Sequence, residues 1–472
     1  MLKELPKTLD ETYERILKDI NEANWDHAHR LLQCLTVAVR PLRVAELAEV
    51  LAIDFGTASC GETSKLNTDW RWEDEKEAVL STCSSLISVL GEEGSQIVQF
   101  SHFSVKEFLT SSRIAGSSAD VSPFHILLEP AHTTLAKACL VVLLRLGELV
   151  DEDNVKDKFP LARYAAEHWV DHARFENVSS HIREGMEDLF DPDKPYFAAW
   201  VQVHDIDTEP HSGSLLYNFA PYPHKVSKPA IPLYYAALCG FHVLVEQLIT
   251  KHPQQVYSTG GYFMSPLGAA LRGEHLKIAQ VLHERGADVN VQGHNNFPVL
   301  HGASYSGHFE IVQWLLSHGA NPNGRDKSDV WTALHAAVRY GHVEVSRLLI
   351  QYKADIHAID STGETPLHDA VLYNHVDVAQ LLLEHGADVN ERYESRDTPL
   401  LWAVKIGRLE AARLLVEHGA NIDAEDSDGR TAFQFASDKG YHEIAEFLSD
   451  HVTNDITYCG VVGSSIHRDN LA

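Results

Sequence analysis

The second half of the chain repeats itself every 33 residues, and this period constrains the fold more than any other feature of the sequence. Four ten-residue phrases begin 33 residues apart: TALHAAVRYG at Thr332, TPLHDAVLYN at Thr365, TPLLWAVKIG at Thr398 and TAFQFASDKG at Thr431. Weaker copies begin at Ile231, Ser265 and Pro298, with steps of 34, 33 and 34 residues. A period of this length is typical of solenoids, in which each unit packs only against its neighbours.

Each unit has the signals of a pair of short helices. Thr365 stands where a helix N-cap is expected, and Pro366 follows at the first helical position, where its missing N–H is not needed. Glycines such as Gly341 close the first helix. The second helix carries apolar residues at helical spacing, for example in VEVSRLLI from Val343. One such pair cannot bury its own apolar face, so a stable fold needs about three or more stacked units.

These phrases resemble the ankyrin repeat, whose unit reads TPLHxAxxxGH and closes with GADVN. The closing element recurs in phase as GADVN at Gly286 and Gly386, GANPN at Gly319 and GANID at Gly419. The resemblance covers residues 231–450 as seven repeats, followed by a flexible tail at 451–472. It implies an α-solenoid with β-hairpin-like loops. Lys353 replaces the closing glycine of its unit, which costs up to about 1 kcal/mol if the backbone there is left-handed.

The N-terminal part combines helices with a small hairpin. Thr8 to Glu11 form a capping box that opens a helix to about Ile20. Further helices are predicted over Trp25–Val39, in VAELAEVLAI after Pro41, and over Glu73–Leu90, whose end turns into a strand. Ile87–Leu90 and Gln96–Phe100 flank GEEGS, which is a hairpin signal.

Helices followed by a hairpin are typical of a winged-helix module, which is a small α+β fold. The predicted fold class is therefore mainly α. We expect a winged-helix-like module at residues 1–120, a helical linker region at 121–230 and the ankyrin-repeat solenoid at 231–450.

Three N-terminal phrases resemble part of a larger family. LPKTLDETYERIL, RPLRVAELAEVLAI and VQFSHFSVKEFLTSS are similar to the winged helix that follows the NACHT nucleotide-binding domain in fungal STAND-type proteins. A similar module is named after the GPI inositol-deacylase winged helix. In STAND proteins a winged-helix histidine contacts the phosphate of the bound nucleotide. By this resemblance His102 is the nucleotide-sensing candidate, and the alternative is an ordinary hairpin or core histidine.

The sequence lacks the motifs that cofactor chemistry requires. The nearest string to a phosphate-binding loop is GTASCGET at Gly56–Thr63, where Glu62 replaces the lysine and repels phosphate. No GxSxG string is present. His168 and His172 are one helical turn apart but have no evident third ligand. We therefore expect no cofactor, no metal and no enzymatic activity.

The composition of the chain limits which classes of partner and which cellular compartment are expected. The 472 residues include 67 acidic and 39 basic side chains, a formal net charge of −28, which repels nucleic acid and anionic lipid. The helix VAELAEVLAI offers only Arg40 and Arg43 to phosphates. The six cysteines are scattered, and no apolar run reaches the roughly 18 residues of a spanning helix. We expect a cytoplasmic or nuclear protein without nucleic-acid or membrane partners.

The concave face of the solenoid is the expected binding surface. Residues 231–450 contain 16 basic and 28 acidic residues, yet aromatic and basic side chains cluster on this face in the middle repeats. Trp, Tyr and Arg are the residues that dominate interface energies. The candidate partner-binding residues are Phe297, Tyr305, Trp331, Arg339, Tyr340, Leu372, Tyr373 and Lys405.

These residues predict a protein or peptide partner with an apolar anchor and an acidic flank. The alternative is that Phe297 and Trp331 staple adjacent loops and that Tyr340 packs on its neighbour. The expected function is a non-catalytic interaction and regulatory module of a fungal STAND-type signalling system. Two other functions stay open: a regulatory part of a NACHT ATPase whose P-loop domain lies outside this chain, and a DNA-bound regulator.

Overall fold

The computed structural model describes residues 8–55, 65–66, 77, 79–80, 83, 85–92, 94–147, 158–207, 231–292, 298–325, 331–392 and 397–451. These residues form two compact units. The first comprises the described residues up to Asp207 together with Ile231–Gln255, and the second runs from Val256 to His451. Helices dominate both units and the strands are short, which confirms the predicted fold class.

The first unit begins with three helices close to the predicted positions. They span Leu9–Lys18, Trp25–Val37 and Val44–Leu51. Thr8 caps the first helix by accepting a hydrogen bond from the Glu11 N–H at 3.2 Å. The second ends two residues before the predicted Val39, because Ala38 is already extended with ψ 133°. The approach to Pro41 disfavours helical backbone in the residue before it.

A small antiparallel sheet completes this module. Its strands are β1 (Leu42–Arg43), β4 (Ile87–Leu90) and β5 (Ile97–Phe100), and a separate pair is formed by β2 (Ile53–Asp54) and β3 (Lys65–Leu66). β5 lies between β1 and β4, and its register with β4 pairs Ile87 with Phe100. The hairpin predicted around GEEGS is confirmed. The predicted helix at 73–90 is described only at residues 77, 79–80, 83 and 85–90, and its end is the strand β4, whereas the string GTASCGET lies wholly outside the described residues.

Buried carboxylates hold the third helix. The Glu46 side chain is fully buried and accepts hydrogen bonds from the guanidinium groups of Arg40 and Arg43 at 2.8–3.0 Å. Burial alone would raise the pKa of Glu46, but these hydrogen bonds bring it below its usual value. Glu49 accepts a hydrogen bond from the backbone N–H of Leu161 at 2.7 Å. The two arginines nearest this helix therefore serve its own carboxylate.

The rest of the first unit is helical. Its helices span Phe103–Thr110, Ser112–Ala115, Leu128–Leu146, Ala162–Ala173, Val178–His181, Arg183–Leu189 and Tyr196–Val203. The long helix Leu128–Leu146 packs against Trp25–Val37 and Ala162–Ala173. Within the described ranges, no helix is both long and apolar enough to span a bilayer.

The first predicted repeat packs into this unit. Its helices span Pro232–Cys239 and His242–Lys251. The ring of Phe241 lies 5.4 Å from that of Trp169, and the ring of Tyr235 lies 5.7 Å from that of Trp200. Arg174 donates a hydrogen bond at 2.7 Å to the last carbonyl of Pro232–Cys239. Burial of such large side chains stabilises by about 1.5–3 kcal/mol each, so this repeat and the linker helices share one core.

The second unit stacks helix pairs in register. The pairs are Pro266–Arg272 with Leu276–Glu284, Val299–Ser306 with Phe309–Ser317, Ala333–Arg339 with Val343–Gln351, Pro366–Leu372 with Val376–Glu384, Pro399–Lys405 with Leu409–Glu417, and Ala432–Lys439 with 442–451. First helices contact the first helices of the neighbouring pairs, and second helices contact one another in the same way from Phe309–Ser317 to Leu409–Glu417. The apolar faces are thus buried between neighbours, as in a solenoid.

The predicted caps are present in these pairs. Thr332 is the N-cap of its helix, and its hydroxyl lies 2.9 Å from Nδ1 of His335, three residues on. Gly341 and Gly407 follow their first helices in the left-handed region, each with φ 72°. Lys353 has φ 69°, so the glycine position that it occupies is left-handed, and the condition for its backbone cost is met.

Candidate functional site

The candidate residues of the repeats lie at the ends of first helices and in the loops before them. Arg339 and Lys405 hold the same place, seven residues after Thr332 and Thr398. The described candidates are Tyr305, Trp331, Arg339, Tyr340, Leu372, Tyr373 and Lys405, whereas Phe297 lies outside the described residues.

Histidines of the repeat hold the backbone of these residues. His301 Nε2 donates to the Trp331 carbonyl at 2.8 Å, and His375 Nε2 donates to the Arg339 carbonyl at 3.1 Å. His342 makes the same contact to the Tyr305 carbonyl at 2.8 Å. The recurring histidines therefore fix the loops and helix ends that carry the candidate side chains.

Arg339 lies between two aromatic rings. Its guanidinium carbon is 4.3 Å from the centre of the Trp331 ring and 4.7 Å from that of Tyr373. Such cation–π contacts contribute about 0.5–1 kcal/mol each at exposed sites. Trp331 and Arg339 are half-buried, and Tyr373 is 36% exposed. A cation is thus held at the surface by side chains from two successive repeats.

A second aromatic pair adjoins this one. The rings of Tyr305 and Tyr340 are 4.1 Å apart at their centres and tilted by 51°. Tyr305 is buried, and burial raises the pKa of its hydroxyl, helped by a hydrogen bond with Tyr340. Tyr340 is half-buried and packs on its neighbour, which is the alternative that the sequence left open for it. Leu372 is half-buried as well.

Lys405 has a different environment from Arg339. Its ammonium lies 2.8 and 2.9 Å from the two oxygens of Asp397 and 3.3 Å from Oδ2 of Asp426. Both carboxylates are buried, with side chains 6% and 0% exposed. Asp426 also accepts hydrogen bonds at 2.9 Å from the backbone N–H groups of Asp428 and Arg430. The charge of Lys405 is neutralised inside the protein and is not offered to a partner.

Asp369 is a buried carboxylate that the sequence analysis did not single out. It lies four residues after Thr365, where the neighbouring repeats have Ala336 and Trp402. The residue is 0% exposed, and neither carboxylate oxygen accepts a hydrogen bond from a described residue. Burial raises the pKa of Asp369 to about 7, and the positive charge of Arg339 opposes the shift.

The negative charges of two more carboxylates, Asp360 and Glu364, act on Asp369. Asp360 is 8% exposed and accepts hydrogen bonds from Thr362 and from the backbone N–H of Glu364. Burial raises the pKa of Glu364, and the negative charge of Asp360 adds to this. Both groups also raise the pKa of Asp369 as like charges. The surroundings of Arg339 are therefore acidic, although the sequence suggested a basic stripe.

His102 caps a helix at the surface of the first unit. Its Nδ1 accepts a hydrogen bond from the Ser104 N–H at 3.3 Å and lies 2.6 Å from the Ser104 hydroxyl. That hydroxyl in turn lies 2.7 Å from the Tyr13 hydroxyl. The imidazole is exposed beside Phe103, which is 70% exposed. His102 is thus a surface histidine with one ring nitrogen used locally, not a core residue.

The histidines considered for zinc lie in a hydrogen-bonded network. His172 is fully buried, with Nε2 at 2.9 Å from the Tyr164 hydroxyl and Nδ1 at 2.9 Å from Nδ1 of His132. Burial, followed by the charge of His132, lowers the pKa of His172 to about 3. His168 instead lies 3.3 Å from Asp171. Across the described ranges, no three His, Cys, Asp or Glu side chains converge as metal ligands do.

Family comparisons agree with both parts of this architecture. Residues 233–326, 300–393 and 391–458 each match the family model for ankyrin repeats. Residues 17–121 match that of the GPI inositol-deacylase, winged helix domain.

Similar proteins come from a fungus and from plants. The azaphilone pigments biosynthesis cluster protein L of Monascus ruber is 34% identical over 302 residues, 61% of this chain and 61% of that protein. The probable E3 ubiquitin-protein ligase XBOS33 of rice is 40% identical over 116 residues, 24% of this chain and 22% of the relative. The E3 ubiquitin-protein ligase XBAT33 of Arabidopsis thaliana is 36% identical over 132 residues, 28% and 25%.

The chain therefore spans three fifths of the Monascus relative and no more than a quarter of either plant relative. The family matches and the observed helix pairs together show that this chain carries ankyrin repeats C-terminal to a winged helix domain of the GPI inositol-deacylase type.

Proposed function

We propose that this chain is a non-catalytic interaction module that binds a protein or peptide partner through one face of its repeats. This aromatic face consists of Tyr305, Trp331, Arg339, Tyr340 and Tyr373. The observation that carries the proposal is the stacking of Arg339 between Trp331 and Tyr373 at the surface. Rings held in this way lose little conformational entropy on binding, and Trp, Tyr and Arg are the common anchors of protein interfaces.

A library of random peptides displayed on phage, selected on the full chain, tests this proposal. The test variant is Trp331→Ala with Tyr373→Ala. The matched control is Tyr352→Ala with Arg413→Ala. Tyr352 is 40% exposed at the end of the second helix Val343–Gln351, and Arg413 stacks on Phe447 at 4.8 Å from the second helix Leu409–Glu417, whereas the aromatic face lies on first helices and the loops before them. Selected peptides are expected to bind wild type and control equally and to lose about tenfold or more in affinity for the test variant. Peptides that bind all three proteins equally would contradict the proposal.

We further propose that the module regulates a STAND-type signalling protein, as a part of it or as its subunit. The winged helix match at residues 17–121 and the exposed pair His102 and Phe103 support this proposal. A NACHT ATPase domain outside this chain would be the regulated partner. The test is ATP hydrolysis by such a domain with and without this chain. A change in rate that His102→Ala removes is expected, and no change in rate would refute the regulation.

A further inference from the structure

We propose that the aromatic face takes a lysine or arginine side chain of the partner, which pairs with Asp369 and replaces Arg339 between Trp331 and Tyr373. This inference rests on the proposed function, because it names the chemistry of the partner that the same face binds. It replaces the acidic flank that the sequence suggested with a basic one.

Within the part of the chain that the structure describes, Asp369 lacks the hydrogen-bond donors that a buried carboxylate needs. The carboxylate is fully buried, and neither oxygen accepts a hydrogen bond from a described residue, including Arg339. A buried carboxylate is unfavourable unless it is paired and hydrogen-bonded. A cation delivered by a partner supplies both the charge and the donors. Charge-assisted hydrogen bonds of this kind are about twice as strong as neutral ones.

The two rings already hold a cation of the proposed kind, the guanidinium of Arg339. The guanidinium of Arg339 occupies the space between the Trp331 and Tyr373 rings, at 4.3 and 4.7 Å from their centres. The faces of these rings are negative, so they attract the ammonium of a partner lysine or the guanidinium of a partner arginine. Arg339 therefore shows the mode of recognition that a partner cation would use.

The negative charge near Asp369 favours a cationic partner over an anionic one. The neighbouring cations Lys405 and Arg430 both lie 3.3 Å from Asp426, and Lys405 also pairs with Asp397. Asp360 and Glu364 add negative charge around Asp369. A partner carboxylate would be repelled by Asp360, Glu364 and Asp369, whereas a partner cation is attracted by all three.

Trp402 occupies the position equivalent to Asp369 in the next repeat. The indole Nε1 of Trp402 is buried and has no hydrogen-bond acceptor among the described residues. Trp402 and Asp369 both lie four residues after the N-cap threonines of adjacent repeats. An unused donor and an unused acceptor thus occupy equivalent places. A peptide backbone carbonyl beside the cationic side chain would satisfy the indole.

The experiment uses the peptides selected above on the full chain and measures their affinities by calorimetry. The variants are Asp369→Asn and Arg339→Ala, with Asp428→Asn as the matched control because the Asp428 side chain is 68% exposed. We expect the selected peptides to share a lysine or arginine. Asp369→Asn should weaken them about tenfold or more, and Arg339→Ala should strengthen them severalfold by removing the competing guanidinium. Asp428→Asn should leave the affinity unchanged.

The opposite signs would overturn the inference. An acidic partner predicts that Arg339→Ala weakens binding and that Asp369→Asn strengthens it. Affinity measured on wild type at pH 6 and pH 8 gives a readout without any substitution: a cationic peptide should bind more tightly at pH 8, and equal affinities would contradict the role of Asp369. Peptides that depend on Trp331 and Tyr373 but not on Asp369 would refute only this inference. Peptides indifferent to the two rings would refute the proposed function itself.

Discussion

Arg339 and Lys405 occupy the same position of two repeats, yet they have opposite environments. Arg339 stacks on Trp331 of its own repeat and Tyr373 of the next. Lys405 instead pairs with Asp397 of its own repeat and Asp426 in the loop that leads to the next.

The difference comes from single residues at matching positions. Trp331 and Asp397 both directly precede the N-cap threonine, so one repeat offers a ring where the other offers a carboxylate. A second position shows the opposite arrangement. Four residues after the N-cap threonine of the next repeat, a carboxylate (Asp369) follows Arg339, whereas a ring (Phe435) follows Lys405. A uniform scaffold therefore carries a cation paired with buried carboxylates at one place and a half-buried cation held between two rings at another.

The largest expected effect is at the Lys405 environment. Asp426→Ala removes an acceptor of two backbone N–H groups and a partner of Lys405, so it should destabilise the repeats by about 3–5 kcal/mol. Urea unfolding of the full chain measures this. Asp428→Ala, two residues away and 68% exposed, is the control and should stay within about 0.5 kcal/mol of wild type. Equal effects of the two substitutions would show that pairing with Lys405 and the two backbone N–H groups does not make Asp426 structurally important.

The next effect belongs to Asp369 and depends on pH. Its pKa is raised from 3.8 to about 7 in the folded protein, so the folded state binds the proton more tightly than the unfolded state. The stability linked to that proton is full below pH 3.8 and is lost as the pH rises through about 7. Between pH 5 and pH 8 wild type should lose about 2–3 kcal/mol relative to Asp369→Asn. Parallel pH profiles of the two proteins would show that Asp369 does not titrate in this range.

A smaller effect is expected at the Arg339 environment. Arg339→Ala removes two cation–π contacts and should cost about 1–2 kcal/mol of unfolding free energy. Arg413→Ala removes one comparable contact with Phe447 and should cost about half as much. Denaturant unfolding of both variants gives the comparison. A loss at Arg339 as large as that of Asp426→Ala would place Arg339 among the structural residues.

The smallest expected effect is a change in unfolding free energy at Lys353, whose backbone is left-handed. Lys353 has φ 69°, while the matching glycines Gly319, Gly386 and Gly419 have φ between 85° and 95°. Lys353→Gly should stabilise the repeats by up to about 1 kcal/mol, because glycine has no penalty in the left-handed region. Thermal unfolding detects this shift, and a destabilised variant would mean that side-chain contacts of Lys353 outweigh its backbone strain.

The repeat period made much of the fold predictable, because each signal is local. Thr332 as a cap and Gly341 as a left-handed closure need only their neighbours in sequence. The shared core of Trp169 and Phe241 was not predicted, since aromatic contacts between residues 72 positions apart leave no periodic signal. The ion pair between Arg40 and the buried Glu46 was not predicted either, because the two residues lie on either side of Pro41 and their approach depends on the folded backbone.

The candidate face was found in part from the repeat register. Register identified Trp331, Arg339 and Tyr373 as neighbours on one face, and the structure brings them into contact. It did not reveal that Lys405 is neutralised, although the aspartate before Thr398 was a usable signal. Asp369 was overlooked because the sequence around it gives no sign that its carboxylate is fully buried in the folded chain.

Stability and peptide affinity measured together for Arg339→Ala and Lys405→Ala test most directly whether the two cations have separate roles. We expect Arg339→Ala to change the affinity of a selected peptide severalfold with a small change in Tm. We expect Lys405→Ala to lower Tm by more, because Asp397 and Asp426 are left buried without their cation, and to leave the affinity unchanged. An affinity that depends on Lys405 and a stability that depends on Arg339 would contradict separate roles.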